Sequence, residues 1–152
     1  FKSSPFLAGL LHDIGKIFLE QNFYQAFFSI CQKTQQEKQP YQILEKRILG
    51  IDHAEIGGII AASWNFPPDL VEAIKQHHHN NSSQQKFSSI IYQANMLVNS
   101  RQDKDSPTPT LNFSGSGLEA AGLNVKDIIE QIDYQLEKSN YLLELFAQQE
   151  NL

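Results

Sequence analysis

The chain has 152 residues, 41% hydrophobic and 19% charged, which predicts one folded domain over residues 1–152 with a core that needs no disulfides. Its net charge is −5 and its 12 lysines and arginines are scattered, so a direct nucleic-acid ligand is not expected. One cysteine, Cys31, and the lack of an apolar run near the roughly 18 residues of a membrane span predict a cytoplasmic protein without a membrane span.

The first half of the chain carries three helical patterns. Ser4 and Pro5 are typical of a helix start, and the apolar spacing over residues 6–18 predicts one continuous helix. The same spacing predicts a second helix over residues 23–30 and a third over 43–49, which Gly50 ends.

A capping box marks the next helix. Asp52 is followed three residues later by Glu55, which predicts a helix from about His53 to Ser63. Pro67 and Pro68 then interrupt the pattern and restart a helix that runs to the histidines at 77–79.

The last third is predicted as three helices and a loop. Apolar residues indicate helices over 87–98, 124–136 and 141–146, and the Pro and Gly residues at 100–117 indicate a surface loop. No strand pattern is found. The expected fold is therefore all-α, a compact bundle of about seven to eight helices. Four large aromatic residues are expected in its core. They are Phe27, Phe28, Trp64 and Phe66.

Polar residues interrupt two of the apolar stripes. In LLHDIGK, His12 and Lys16 share a predicted helix face and Asp13 lies beside them, while His77 and His78 continue a later buried stripe. Burying a polar group without a partner costs about 2–7 kcal/mol, so these side chains need hydrogen bonds or a cation. Histidine and aspartate together suit Mn, Fe or Zn.

Simpler explanations exist for each histidine taken alone. His53, on the first turn of its helix, could complete a metal cluster or could be a hydrogen-bonded core residue. Three consecutive histidines also suit a helix C-terminus, where the helix dipole favours positive charge. This explanation fits His79 best, because His79 lies off the buried stripe.

The sequence resembles the HD superfamily of helical metal-dependent phosphohydrolases, and more closely its HD-related output domain (HDOD) branch. The similar segments are FLAGLLHDIGKIFL, then Glu45 and ILGIDHAEIGGIIAASWNFPPDLVEAIKQHHH, then IIYQANMLV, so the resemblance covers residues 5 to about 99. It implies a bacterial cytoplasmic signalling module, often found beside receiver or cyclic-dinucleotide-handling domains.

The resemblance also implies a set of site residues. His12 and Asp13 match the metal-binding doublet of catalytic relatives, His53 with His77 or His78 match further metal ligands, and Lys16 matches a lysine that contacts substrate phosphate. Asn95 stands where catalytic relatives have a closing aspartate, and their opening histidine would lie upstream of Phe1, so N-terminal helices are expected to be missing. The Gly-Tyr-Pro signature of cyclic di-GMP hydrolases is replaced by NNSSQQ.

These departures favour a non-catalytic regulatory domain that acts through contacts with signalling proteins. In this hypothesis the five residues His12, Asp13, His53, His77 and His78 form a degenerate polar core that holds an ion of Mn, Fe or Zn, or none. Two alternatives stay open: a metal-dependent phosphohydrolase of a nucleotide or cyclic dinucleotide, and a module that binds a nucleotide without hydrolysing it.

Overall fold

A computed structural model describes residues 4–79, 86–102 and 125–149. These residues form eight α-helices and no strand, which confirms the predicted all-α class. The helices are α1 (Pro5–Leu11), α2 (Ile14–Asn22), α3 (Tyr24–Glu37), α4 (Tyr41–Leu49), α5 (His53–Ser63), α6 (Pro68–Lys75), α7 (Lys86–Gln102) and α8 (Val125–Gln149). None of them, within this described part, is long and apolar enough to cross a membrane.

The chain folds into two compact units, residues 1–95 and 96–152, with the boundary inside α7. In the first unit α5 packs against α6 and α2, and α3 packs against α4. In the second, Arg101 of α7 forms a two-point ion pair with Asp133 of α8. The single domain over residues 1–152 stays a prediction.

The core of the first unit is built mainly from small and aliphatic side chains. Its buried members are Ala8, Ala61, Leu70, Ala73, Ile74 and Ile91. The expectation for the aromatic residues is wrong in part, because Trp64 and Phe28 are each 52% exposed. Phe66 does pack against the core, where it is partly buried.

Two glycines bring α2 and α5 into backbone contact. A Cβ on Gly15 would overlap the backbone carbonyl of His53 and lie 3.0 Å from the Gly57 nitrogen. A Cβ on Gly57 would in turn lie 2.9 Å from a methyl group of Ile74. Only residues without side chains permit this approach, and it brings the start of α2 to the start of α5.

Two helix boundaries near the chain's end differ from the sequence-based expectation. The two helices expected over 124–136 and 141–146 are one helix, α8, because residues 137–140 are themselves helical and do not separate them. Helix α7 continues through Gln102, so the first part of the loop predicted at 100–117 is helical. The remainder of that loop lies outside the described residues.

Candidate metal centre

The His12-Asp13 doublet lies at a junction between two helices. The expectation of one continuous helix over 6–18 is wrong, because α1 ends at Leu11 and α2 starts at Ile14. His12 keeps helical backbone angles, whereas Asp13, with φ −98° and ψ 11°, does not. This turn places the Asp13 side chain at the start of α2, beside α5.

The two carboxylate oxygens of Asp13 have different surroundings. Oδ2 accepts a hydrogen bond from Lys16 Nζ at 2.8 Å. Oδ1 faces two ring nitrogens, His53 Nε2 at 3.2 Å and His77 Nε2 at 3.5 Å. Burial raises the pKa of Asp13, but the neighbouring His53, His77 and Lys16 side chains outweigh it and hold that pKa far below its usual range. Asp13 is therefore an ionised carboxylate.

His53 begins α5 and is fully buried. The predicted capping box is confirmed, since Asp52 Oδ1 accepts from the Glu55 backbone and Glu55 Oε2 accepts from the Asp52 backbone. The ring nitrogen Nδ1 of His53 lies 2.5 Å from Glu45 Oε2, and the His53 backbone N–H donates to the same oxygen at 2.9 Å.

Glu45 is the residue of this site that sequence reasoning missed. It is fully buried in α4, although its position was not assigned a role. Helical spacing could have identified it, because Glu45 lies one turn before Ile48 and Leu49 at the edge of the apolar stripe.

The three consecutive histidines follow α6, which ends at Lys75, so the helix predicted to run to the histidines stops two residues before His77. His77 is fully buried and its Nδ1 donates to the Ile74 carbonyl at 2.7 Å. His78 is half-buried, with Nε2 2.8 Å from His53 Nε2. His79 is exposed. The two histidines expected to face the core, His77 and His78, are therefore buried or half-buried, whereas His79 is exposed.

The pKa values of the neighbouring His53 and His78 are shifted in opposite directions. Burial lowers the pKa of His53, but the neighbouring Asp13 and Glu45 carboxyl groups outweigh it, and the pKa is raised. Burial, followed by the charges of His77 and His53, lowers the pKa of His78 to about 2. When the His53 ring is protonated on both nitrogens its Nε2–H donates to His78, whereas in the neutral ring with Nδ1–H that nitrogen carries a lone pair.

Four side chains present their ligand atoms to one point. One atom each from Asp13, His53, His77 and His78 lies within 4.8 Å of the other three. In the described part of the chain, Asp13 Oδ1 and His77 Nε2 are buried without a hydrogen-bond partner. Both are acceptors, because the Nδ1 proton of His77 is donated to Ile74 and leaves a lone pair on Nε2. A cation between them would satisfy both atoms, and three imidazoles with one carboxylate would suit Zn, Fe or Mn.

The other predicted site residues lie around this group. The Nδ1 of His12 donates to the Gly9 carbonyl at 2.7 Å, and its ring packs edge-on against His77. Burial lowers the pKa of His12. Lys16 also lies over the Tyr41 ring, with Nζ 5.4 Å from its centroid. Asn95 is half-buried in α7. The roles of His12 as a ligand and of Asn95 as the closing position stay predictions.

Comparison with known proteins gives three findings. The family model of the HDOD domain matches residues 2–80. A Treponema pallidum (strain Nichols) protein named only "Uncharacterized protein" is 23% identical over 89 residues, which are 59% of this chain and 17% of that protein. A crystal structure from Shewanella amazonensis SB2B, named "Putative phosphohydrolase", is similar with a TM-score of 0.63 and 24% identity over 84% of this chain and 48% of that one. At this identity the structural likeness concerns the fold alone, and the chain spans less than half of either protein.

Proposed function

Because this chain belongs to the HDOD domain family, we propose that it is a non-catalytic regulatory domain of the bacterial cytoplasm that acts through contacts with signalling proteins. In this proposal the cluster of Asp13, His53, His77 and His78 holds a single transition-metal ion as a structural element. Zn is the best match to the donors, with Fe and Mn as the other candidates.

The number of converging ligands is the observation that carries the proposal. Structural zinc sites are closed by four protein ligands, whereas catalytic sites keep one position open for water or substrate. Four ligand atoms meet here. The remaining Asp13 oxygen, Oδ2, is engaged by Lys16 and so does not bridge to a second cation. This arrangement supports one enclosed ion rather than the two-metal clamp that phosphoryl-transfer enzymes use.

Exposed apolar side chains support the role in protein contacts. A groove of about 440 Å³ beside α5 is lined by Ile51, Gly58, Ile59, Ala62 and Val71, with Glu55 and Lys75 at its polar part. Ile59 is 63% exposed, and Phe6 of α1 is 79% exposed. Large exposed apolar surfaces are typical of interaction sites.

The phosphohydrolase alternative is favoured by the exposed side of the cluster. His53 and His77 are fully buried, but the Asp13 and Lys16 side chains are 37% and 31% exposed, so an anion could approach from that side. A six-coordinate Mn or Fe ion would have two positions that these four ligands do not fill. Binding of a nucleotide without hydrolysis would use the same exposed side.

The deciding experiment is metal analysis and a hydrolysis assay on one preparation of untagged protein. Plasma mass spectrometry is expected to find about one equivalent of metal, lost in His77→Ala and kept in the matched control His79→Ala. Assays with bis-p-nitrophenyl phosphate and cyclic di-GMP, in the presence of Zn, Mn or Fe, are expected to show no turnover.

Turnover that disappears in Asp13→Ala would overturn the non-catalytic proposal in favour of the hydrolase. A rise in melting temperature with a nucleotide that survives metal chelation, without turnover, would favour the binding module.

A further inference from the structure

The side chain of Glu45 is fully buried and contacts one member of the cluster, His53. Its ion-pair partner among the described residues is His53, and both side chains are 0% exposed. One oxygen, Oε2, accepts hydrogen bonds from the His53 ring at 2.5 Å and from the His53 backbone at 2.9 Å. Burying a carboxyl group costs free energy unless hydrogen bonds compensate it, and Oε2 receives two while Oε1 has no partner among the described residues.

These two hydrogen bonds determine which ring nitrogen of His53 faces the cluster. Because Oε2 already accepts from the His53 backbone N–H, it also accepts from the ring, so Nδ1 carries a proton and the neutral ring has its lone pair on Nε2. That nitrogen faces Asp13 Oδ1 at 3.2 Å. The hydrogen bond from the His53 backbone N–H holds Glu45 Oε2 beside the first residue of α5. The hydrogen bond from the ring to the same oxygen then fixes the orientation of the ring.

We propose that Glu45 is a positioning residue for the metal centre, which holds His53 with Nε2 directed at the ion and strengthens that nitrogen as a ligand. The inference rests on the proposed function, since it requires that the cluster binds metal. A carboxylate that accepts from the second ring nitrogen of a ligating histidine makes the histidine more basic, and its loss typically weakens metal binding 10–100-fold.

Two substitutions separate orientation from charge. In Glu45→Gln the amide oxygen can accept both hydrogen bonds from His53, but the negative charge is lost. Glu45→Leu removes both effects. The matched control is Glu55→Gln, because Glu55 also supports the start of α5 by accepting from the Asp52 backbone, yet it does not contact the His53 ring.

The measurements are Zn²⁺ affinity by competition with a chromophoric chelator, the absorption spectrum of the Co²⁺ form, and ¹⁵N shifts of the His53 ring in metal-free protein at alkaline pH. Glu45→Gln is expected to keep the Nδ1–H tautomer and bind Zn²⁺ about tenfold more weakly, and Glu45→Leu to lose the tautomer preference and bind about 100-fold more weakly, with an altered Co²⁺ spectrum. Glu55→Gln should lower the melting temperature and leave the affinity unchanged.

Wild-type affinity in Glu45→Gln and Glu45→Leu, or an Nε2–H tautomer in the wild-type protein, overturns the inference. If Glu45→Leu does not fold, Glu45→Gln still decides it through affinity. If the wild-type protein binds no metal while His53 shows the Nδ1–H tautomer, the metal centre of the proposed function is rejected. The hydrogen bond by which Glu45 orients the His53 ring is then still supported.

Discussion

Gly15 and His53 are in direct backbone contact, so closely that a Cβ on Gly15 would overlap the His53 carbonyl oxygen. The contact joins α2, whose N-cap is Asp13, to α5, whose first residue is His53. The distance between these two site residues therefore depends on the absence of a side chain at position 15.

Gly15→Ala is expected to destabilise the protein by about 1–3 kcal/mol or more, since a methyl group at this point forces two backbones apart. Zn²⁺ affinity should also fall, because Asp13 and His53 move apart with their helices. Denaturant unfolding and metal titration measure the two effects.

Gly9→Ala is the matched control. A Cβ at Gly9 has no neighbour within 4 Å, and alanine favours the helix by roughly 0.5–1 kcal/mol. If Gly15→Ala were as harmless as Gly9→Ala, the backbone contact would not position the site.

His78 should make the metal-free protein less stable as the pH falls. In an unfolded chain a histidine binds a proton near pH 6.5, whereas the folded-state pKa of His78 is lowered to about 2. Between these values the unfolded state binds more protons, so acid reduces the free energy of unfolding. In His78→Gln the decline between pH 6.5 and 4.5 should be shallower, by at most about 1.4 kcal/mol per pH unit.

His53 acts with the opposite sign, because its raised pKa adds stability that is present below pH 6.5 and lost as the pH rises through the folded value. Unfolding curves over this pH range measure both slopes. His79→Gln, at an exposed position, is the control substitution. A slope in His78→Gln equal to that of the wild-type protein would contradict the assignment.

Lys16 separates the regulatory and hydrolytic alternatives. Its ammonium lies 2.8 Å from Asp13 Oδ2, where its positive charge opposes the binding of a cation. Lys16→Met is expected to tighten Zn²⁺ binding by about tenfold, a difference of about 1.4 kcal/mol. If Lys16 held a substrate phosphate, the same substitution would instead lower turnover. Lys33→Met, which removes a lysine paired with Glu37 on α3, is the control.

The cap of α5 should be needed for full stability. Asp52 is buried and its side chain accepts from the Glu55 backbone at 2.9 Å. Asp52→Ala is expected to cost about 1–2 kcal/mol, measured by thermal or denaturant unfolding. Asp52→Asn retains a capping oxygen and should cost clearly less, whereas equal losses would show that charge rather than capping is responsible.

Local signals in the sequence were sufficient for several helix boundaries. The Asp52 and Glu55 pair marked the start of α5, and Gly50, with φ 77°, marked the end of α4. Each signal reflects a backbone requirement that few residue types satisfy, namely a side-chain acceptor at a helix start or a positive φ at a helix end. Such requirements can be recognised without knowledge of the fold.

The break at His12-Asp13 could not be predicted in the same way. The apolar spacing continues in phase from α1 into α2, so the periodicity of the sequence does not indicate the turn between them. Helical spacing places Glu45 at the edge of the apolar stripe, but its pairing with His53, which is on another helix, depends on packing and could not be predicted. Recognising His53, His77 and His78 as site residues required only that buried polar groups need partners.

The four converging ligands come from three segments that are distant in the chain: the α1–α2 turn, the start of α5 and the turn after α6. A bound ion would therefore act as a cross-link that closes two long loops. Because the unfolded chain does not hold the four ligands together, the binding free energy of the ion would stabilise the folded state. Withdrawal of the ion would release all three segments together, so the folded lifetime of this domain would depend on the metal supply of its surroundings.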